Sequence, residues 1–449
     1  MRYVLDGKVV ITKAADESDV TSYALYWGTS ATTKLYLTPI VTLPANGTNP
    51  TYEFIHQGRP QLATHLLAFS VNGAGMMATG VATPISEIGQ SVCTKTYAGQ
   101  PGGSGDYPSA VIDTANSKLL VVTQNNANFF KPALFRCDLD GTGCTYSDIS
   151  AGQGTNTGYT ASAVIDSAGG KLLAVTRNGA NSNKPALFRC NLDGSACTYT
   201  DISTGQAAGS GWVPSAVIDA ANAKLLVVTQ SNANSGKPAL FRCDLDGSAC
   251  TYSDISAGQG ANSGADLSAV IDTANSKLLV VTQNTANSNK PALFRCDLDG
   301  SACTYSDISA GQGADSGTTP SAVIDAANGK LLVISRNGAN SSKLALFRCD
   351  LDGSACTHTD ISAGQGANSG YLPSAVIDPA NGKLLVVTMN WALNVQSLFR
   401  CDLDGSACTH TDISTGQTCT GQEISAVIDA ANTNLFVATQ MGLFNIGLR

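Results

Sequence analysis

The chain has 449 residues, 43% of them hydrophobic and only 13% charged, against about 25% charged in ordinary soluble proteins, so its surface must be built from Asn, Gln, Ser, Thr and Gly. A net charge of −8 argues against a protein that grips nucleic acid through phosphate contacts. The absence of any apolar run of about 18 residues excludes insertion into a membrane as a helix.

Residues 1–88 contain no internal repeat. Alternating runs occur at Val9–Thr12, Ser22–Trp27, Thr51–Ile55 and Ala63–Val71, with turn residues between them, which predicts a small β-sandwich. The stretch Ala14–Trp27 resembles the B–C region of a fibronectin type III domain, and Phe69–Gly75 resembles that family's F strand and following turn. The usual B-strand Trp is missing, and Ile11 stands in its place. The resemblance implies a spacer or adhesion module, with Tyr26 and Trp27 in its core.

Residues 89–449 are dominated by self-similarity. The pentapeptide Ser-Ala-Val-Ile-Asp begins at Ser109, Ser162, Ser215, Ser268, Ser321, Ser374 and Ser425, in five steps of 53 residues and a last step of 51. A unit that long, repeated, points to a propeller or a solenoid. One unit reads as four strands: Ser109–Asp113, Lys118–Thr123, Pro132–Cys137 and Cys144–Ser150. The second strand, Leu119-Leu120-Val121-Val122, does not alternate, which predicts burial on both faces. Four strands in each of seven units resemble a seven-bladed β-propeller, whereas a β-solenoid would show shorter rungs.

The two ends of the array complement one another. The last copy stops after Leu443–Ile446, with Ile446 where the other copies have cysteine and no fourth strand. Ahead of the first copy stands an orphan, Ser91–Gln100, which from Cys93 onward resembles Cys144–Gln153. An N-side strand that completes the seventh blade would remove two open sheet edges.

Twelve of the 14 cysteines fall in the pattern Cys-x6-Cys: Cys137/Cys144, Cys190/Cys197, Cys243/Cys250, Cys296/Cys303, Cys349/Cys356 and Cys401/Cys408. Each pair brackets a turn, and a hairpin sets such residues on facing strands at disulfide separation. The spacing is too wide for zinc. Cys93 and Cys419 remain, either bridged across the closure or as two buried thiols. Persistent disulfides need an oxidising compartment, so an extracellular or cell-surface location is expected. Asp6 and Lys8 interrupt any apolar core at the start, so the signal peptide is expected to be absent from this chain.

Repeated carboxylates are read as structural. The Asp-Leu-Asp-Gly turn offers two carboxylates where Ca2+ wants six to eight oxygens, so it is read as a hairpin turn and no cofactor is expected. It resembles the Asp-box of sialidase propellers, but the spacing differs and no Arg cluster with a Tyr nucleophile can be assembled. The aspartates ending the first strand (Asp113, Asp166 and their equivalents) recur in every copy, whereas a catalytic pair should be singular. His358 and His410 occupy equivalent places in adjacent copies and cannot meet on one metal.

Function is sought where the copies differ. Strand direction puts the loop before the first strand and the loop after the second at one end of each blade. Together these loops carry amides and hydroxyls with Tyr107, Tyr159, Trp212 and Tyr371, while Trp391 is an oddity of the sixth copy. Amides beside stacking rings suit a sugar, and varied residues on a rigid scaffold suit a protein. The reading is a non-enzymatic, secreted or surface binding protein for glycan or protein, with Tyr107, Tyr159, Trp212, Tyr371 and Trp391 as contacts in several shallow sites. The alternatives are a structural unit of a surface layer and a polysaccharide hydrolase or lyase. Repeat-breaking residues converging on the centre would favour an enzyme.

Overall fold

A computed structural model describes residues 3–60, 62–85, 92–94, 100, 102–391, 393–414, 421–429, 431 and 434–448. The chain divides into two compact units, residues 1–90 and 91–448.

In the first unit β1 (Tyr3–Val10) pairs antiparallel with β4 (Thr51–Arg59). A second sheet runs β3 (Val41–Pro44), β2 (Val20–Gly28), β5 (His65–Asn72), with β6 (Gly75–Met76) and β7 (Val81–Pro84) both pairing β5. Alternation along β2 sends Tyr23, Leu25 and Trp27 into a core with Ile11, Phe54 and Leu66. Trp27 lies 5.6 Å from Phe54 there. Tyr26 is buried on the other face, edge-on to Phe69, where the Lys34 ammonium sits 4.0 Å from both ring centres.

The second unit is all-β, and its described residues form seven four-stranded antiparallel sheets. In sheet 1 the strands are Asp106–Asp113, Lys118–Asn125, Lys131–Asp138 and Thr145–Asp148, in sequence order. The same order recurs through sheet 6, which begins at Tyr371. Sheet 7 consists of Ile424–Asp429, Asn434–Thr439 and Gly442–Gly447, and its fourth strand is β8 (Val92–Thr94) from the N-terminal side. Leu443, Phe444 and Asn445 pair with Thr94, Cys93 and Val92.

The second strand is buried because each of its faces meets a different neighbour. In sheet 4, Leu278 and Val280 pack with Leu226, Val228 and Leu240 of sheet 3. Leu279 and Val281, one residue out of phase, pack with Leu331, Val333 and Phe347 of sheet 5. An apolar run without alternation is what a strand covered on both sides requires. Sheets 1 and 7 pack in the same way, through Leu119, Val121 and Phe135 against Phe436 and Leu443.

The recurring pentapeptide is explained by a chain of hydrogen bonds. The amide of Ala163 donates to Ser109 Oγ at 2.9 Å, Ala216 to Ser162, Ala269 to Ser215, Ala322 to Ser268, Ala375 to Ser321 and Ala426 to Ser374. Ala110 donates to Ser425 at 3.0 Å, so the first copy is bonded to the last. A second link lies at the opposite ends of the sheets. Asp193 is held below the usual carboxylate range first by Ser195, and also by Arg136 of the preceding sheet. Asp246 and Arg189, Asp299 and Arg242, Asp352 and Arg295, and Asp404 and Arg348 repeat the arrangement. Where the Arg would stand in sheet 7 is Asn445, whose amide instead donates to Leu139 O at 3.2 Å.

All six Cys-x6-Cys pairs are disulfides: Cys137–Cys144, Cys190–Cys197, Cys243–Cys250, Cys296–Cys303, Cys349–Cys356 and Cys401–Cys408. The register explains them: Arg136 faces Thr145, which leaves Cys137 beside Cys144 one step further along. The two members of a pair differ in setting, and here the expected fourth strand needs correction. Cys137, Cys190, Cys243, Cys296, Cys349 and Cys401 lie within the third strand and are fully buried. Cys144, Cys197, Cys250, Cys303, Cys356 and Cys408 are half-buried and stand one residue ahead of the fourth strand, rather than opening it as the sequence suggested. The cause is the residue before each of them. Gly143, Ala196, Ala249, Ala302, Ala355 and Ala407 all turn left-handed, so the chain rejoins the ladder only at the threonine that follows the cysteine. Cys419 and the side chain of Cys93 lie outside the described residues.

Two other strand limits differ from expectation. The first strand starts at Asp106 rather than Ser109, because it continues through an irregularity opposite Val122/Gln124. The fourth ends at Asp148, since Ser150 N–H turns back onto Asp148 Oδ1.

Sheets 2 to 6 each approach the preceding sheet closely at a glycine ahead of the first strand: Gly158, Gly211, Gly264, Gly317 and Gly370. A Cβ on Gly264 would fall within 3 Å of the backbone at Lys237 and Pro238 of the preceding sheet, whereas one on Gly260 meets nothing within 4 Å. Gly264→Ala is expected to destabilise the chain by about 1–3 kcal/mol, the cost of overpacking against an atom that cannot rotate away. Gly260→Ala should leave the urea midpoint where it is. Equal midpoints for the two variants would refute the close approach.

Candidate functional site

The site is built by the first strand's irregularity. Asp106 pairs opposite Gln124, and Asn125 opposite Lys131, so the entry to the first strand and the loop after the second share one end of the sheet. Two residues ahead of the pentapeptide serine the backbone turns left-handed: Tyr107 (φ 49°), Thr160 (46°), Val213 (45°), Asp266 (37°), Thr319 (48°) and Leu372 (48°). That conformation is rare for any residue but Gly and worse for a β-branched one, so the neighbours must hold it. At two of the six the second strand of the preceding sheet does so: Thr160 N–H donates to Gln124 Oε1 at 3.3 Å, and Thr319 N–H to Gln283 Oε1 at 3.4 Å.

These residues, with Glu423 from sheet 7, line one cavity of about 650 Å³ to which all seven sheets contribute. Prolines 108, 214, 320 and 373 follow most of them and stiffen its wall. Because the seven lining positions carry Tyr, Thr, Val, Asp, Thr, Leu and Glu, with only Thr recurring, near-identical sheets enclose an asymmetric space. Arg177 and Trp212 also line it. The Arg177 guanidinium lies 4.0 Å from the Trp212 ring centre and 4.7 Å from that of Tyr159.

The expected contact residues separate into two groups. Tyr107 and Trp391 are exposed. Tyr159, Trp212 and Tyr371 are half-buried. Tyr159 stacks on Phe130 at 5.2 Å and its hydroxyl reaches Asn156, while Tyr371 packs 5.6 Å from Trp391 and 4.5 Å from Arg336. All seven sheets thus line one cavity, and Phe130 and Trp391 flank it beside Tyr159 and Tyr371. Arg177 and Arg336 were missed in the sequence, although aligning the copies exposes them. The penultimate residue of the second strand is Gln in sheets 1, 3 and 4 but Arg177, Arg336 and Met389 in sheets 2, 5 and 6. The disulfides take no part in this site. None of the twelve bridged cysteines lines the cavity, and Cys250, Cys303, Cys356 and Cys408 close hairpins at the other end of their sheets, as Cys144 and Cys197 do.

Carboxylates at the cavity differ from those of the repeat. Burial pushes the Asp266 carboxyl up, against the pull of Arg336, whose Nε is turned to Thr318 Oγ1 at 2.8 Å. Glu423 is pushed up first by burial and then by Asp106. Tyr107 N–H donates to the Glu423 carboxylate, while Oε2 is buried without a partner. Asp106, itself buried, takes the Gln440 amide at 2.6 Å and that of Asn126. The repeated carboxylates, in contrast, cap local turns. Asp113 accepts from Asn116, Asp140 from Thr142, and Asp148 from Ser150 and Asn128. No group of three or more potential metal-ligating side chains occurs among the described residues. His358 and His410 pack on Phe347 and Phe399, and burial lowers both.

No protein-family model matches the chain, and no curated protein sequence does. Solved structures do resemble it. The WD40 repeats of RRP9 superpose with a TM-score of 0.52 at 8% identity, over 78% of this chain and 96% of that one. The extracellular domain of a hybrid two-component system of B. thetaiotaomicron gives 0.50 at 13% identity, over 77% of this chain. This chain spans only 40% of that domain's length. The shared feature is the fold: an all-β, propeller-like array of four-stranded sheets.

Proposed function

We propose that the chain is a secreted or cell-surface binding protein, in which a fibronectin type III-like module precedes a closed seven-bladed β-propeller that recognises glycan or protein ligands on one face. The unbroken serine–alanine hydrogen-bond cycle and the pairing of β8 with the last sheet support closure. The division of β1–β4 from β3–β2–β5 supports the module. Six disulfides support an oxidising location.

One observation carries the binding role. In the second unit the exposed large apolar side chains among the described residues are Tyr107, Phe129, Leu372, Trp391, Leu393 and Met441. All six stand at the cavity end of the sheets, and all belong to the adjacent sheets 6, 7 and 1. At the position of Phe129, sheets 2 to 5 carry Ser182, Ser235, Ser288 and Ser341, so stability does not require a ring there. An apolar patch confined to one face marks an interaction site.

The convergence of Asp266 and Glu423 on the cavity favours a second reading, a polysaccharide hydrolase. It ranks lower because Glu423 Oε2 is enclosed and a catalytic carboxyl must reach the scissile bond. A glycan array is expected to show binding that Trp212→Ala weakens at least about tenfold, the loss of one stacking wall. Absence of any bound glycan or protein partner, with the fold intact, would leave only the structural-unit reading. Shortening of a bound oligosaccharide on incubation would replace binding by hydrolysis.

A further inference from the structure

We infer that the central cavity selects a cationic sugar, an unacetylated hexosamine unit, with its ammonium seated on Asp266. The inference rests on the glycan-binding reading above and narrows it.

The first ground is charge. The charged side chains lining the cavity are Arg177, Asp266 and Glu423, and Asp106 stands close behind Glu423. Among the described residues no ammonium or guanidinium lies within 4.0 Å of any of these three carboxylates, whereas the repeat's own lysines and aspartates pair regularly, as Lys277 does with Asp297. The guanidinium that could have neutralised Asp266, that of Arg336, is instead directed to Thr318 and Tyr371. Arg177 is held between two rings on the side of sheets 2 and 3. Arg336 reaches Asp266 through its field alone, and a partly buried carboxylate without an ion pair is costly, a cost that a bound cation relieves.

The second ground is access. Glu423 Oε2 is enclosed, so Glu423 and Asp106 act through their field. The Asp266 carboxylate is not enclosed in this way. It lines the cavity and accepts no hydrogen bond from any described residue, so both its oxygens are open to a ligand. It is also the only acid among the six left-handed positions, where other sheets place Tyr, Thr, Val or Leu. The third ground is shape. A space of about 650 Å³ falls in the roughly 300–1,000 Å³ range of small-ligand sites, and Trp212 with the prolines supplies the apolar wall a pyranose ring lies against.

The test uses the full chain and three probes in calorimetry at low and moderate salt: tetrameric glucosamine, its fully N-acetylated counterpart, and tetralysine. Tetrameric glucosamine is expected to bind at least tenfold more tightly than the acetylated tetramer. Asp266→Asn should bring the two within about twofold, with the melting curve unchanged or raised. Removing one charge from a chain of net charge −8 cannot have that effect through non-specific attraction. Equal or tighter binding of the acetylated tetramer overturns the inference and leaves glycan binding standing. Tetralysine binding as tightly as tetrameric glucosamine, with the same Asp266 dependence, overturns the sugar and leaves only a cation site. Failure of both sugars to bind overturns the inference, and the array then decides the broader reading.

Discussion

Deleting Val92–Thr94 from the full chain is expected to cost about 3–5 kcal/mol and to lower the melting temperature by about 5–10 °C. These three residues are the fourth strand of sheet 7, and their loss strips the backbone partners from the outer edge of Leu443–Asn445. Ladder hydrogen bonds contribute about 1 kcal/mol each, and Phe444, now fully buried, would stand at an open margin. The damage should spread beyond the local strand, because sheet 7 also holds sheet 1 through the Ser425–Ala110 bond and the Phe436–Leu119 packing. An uncovered strand edge templates pairing with another copy, so the variant should also associate with rising concentration. Calorimetry and size-exclusion chromatography read both effects. A melting temperature within 1 °C of the parent, with no association, would mean that the array is not sealed by β8.

The repeat unit was legible because its physical requirements recur with its residues. Ser-Ala recurs because each copy must bond the next, and the unbroken Leu-Leu-Val-Val run recurs because that strand has two neighbours. The six disulfides follow from hairpin geometry, but the left-handed residue ahead of Cys144, Cys197, Cys250, Cys303, Cys356 and Cys408 leaves no mark in the sequence, so the fourth strand begins one residue later than expected. The cavity was not legible, since it depends on a backbone irregularity. Nothing in Trp212-Val213-Pro214 announces a left-handed valine, which local propensity disfavours and only the enclosing sheets enforce. The first strand was accordingly placed three residues late, and the side chains that line the cavity were grouped with those that flank it. Tyr107 and Trp391 are exposed. Tyr159 and Tyr371 also serve to stack on Phe130, Arg177, Trp391 and Arg336, and sequence alone cannot distinguish a ring that plugs from a ring that binds.

Reduction of the disulfides should have the largest effect on stability and little on the cavity. Each bridge closes a loop of eight residues, for which the chain-entropy model gives about 2.5 kcal/mol. Six such terms approach about 15 kcal/mol, as much as the whole stability of many domains. The sum is an upper bound, because sheets locked between neighbours share their ordering cost. A fall of more than about 15 °C in melting temperature is expected in a thiol reductant, and a fall of a few degrees for the single double variant Cys296→Ser/Cys303→Ser. The bridges lie at the far ends of the third strands, since Lys131 opens that strand beside the cavity and Cys137 closes it at the other end. Below its lowered transition the reduced chain should therefore keep its ligand affinity within about twofold. Retention of the parent melting temperature after full reduction would remove the argument for an oxidising compartment. Loss of binding before any unfolding would place the ligand at the disulfide end.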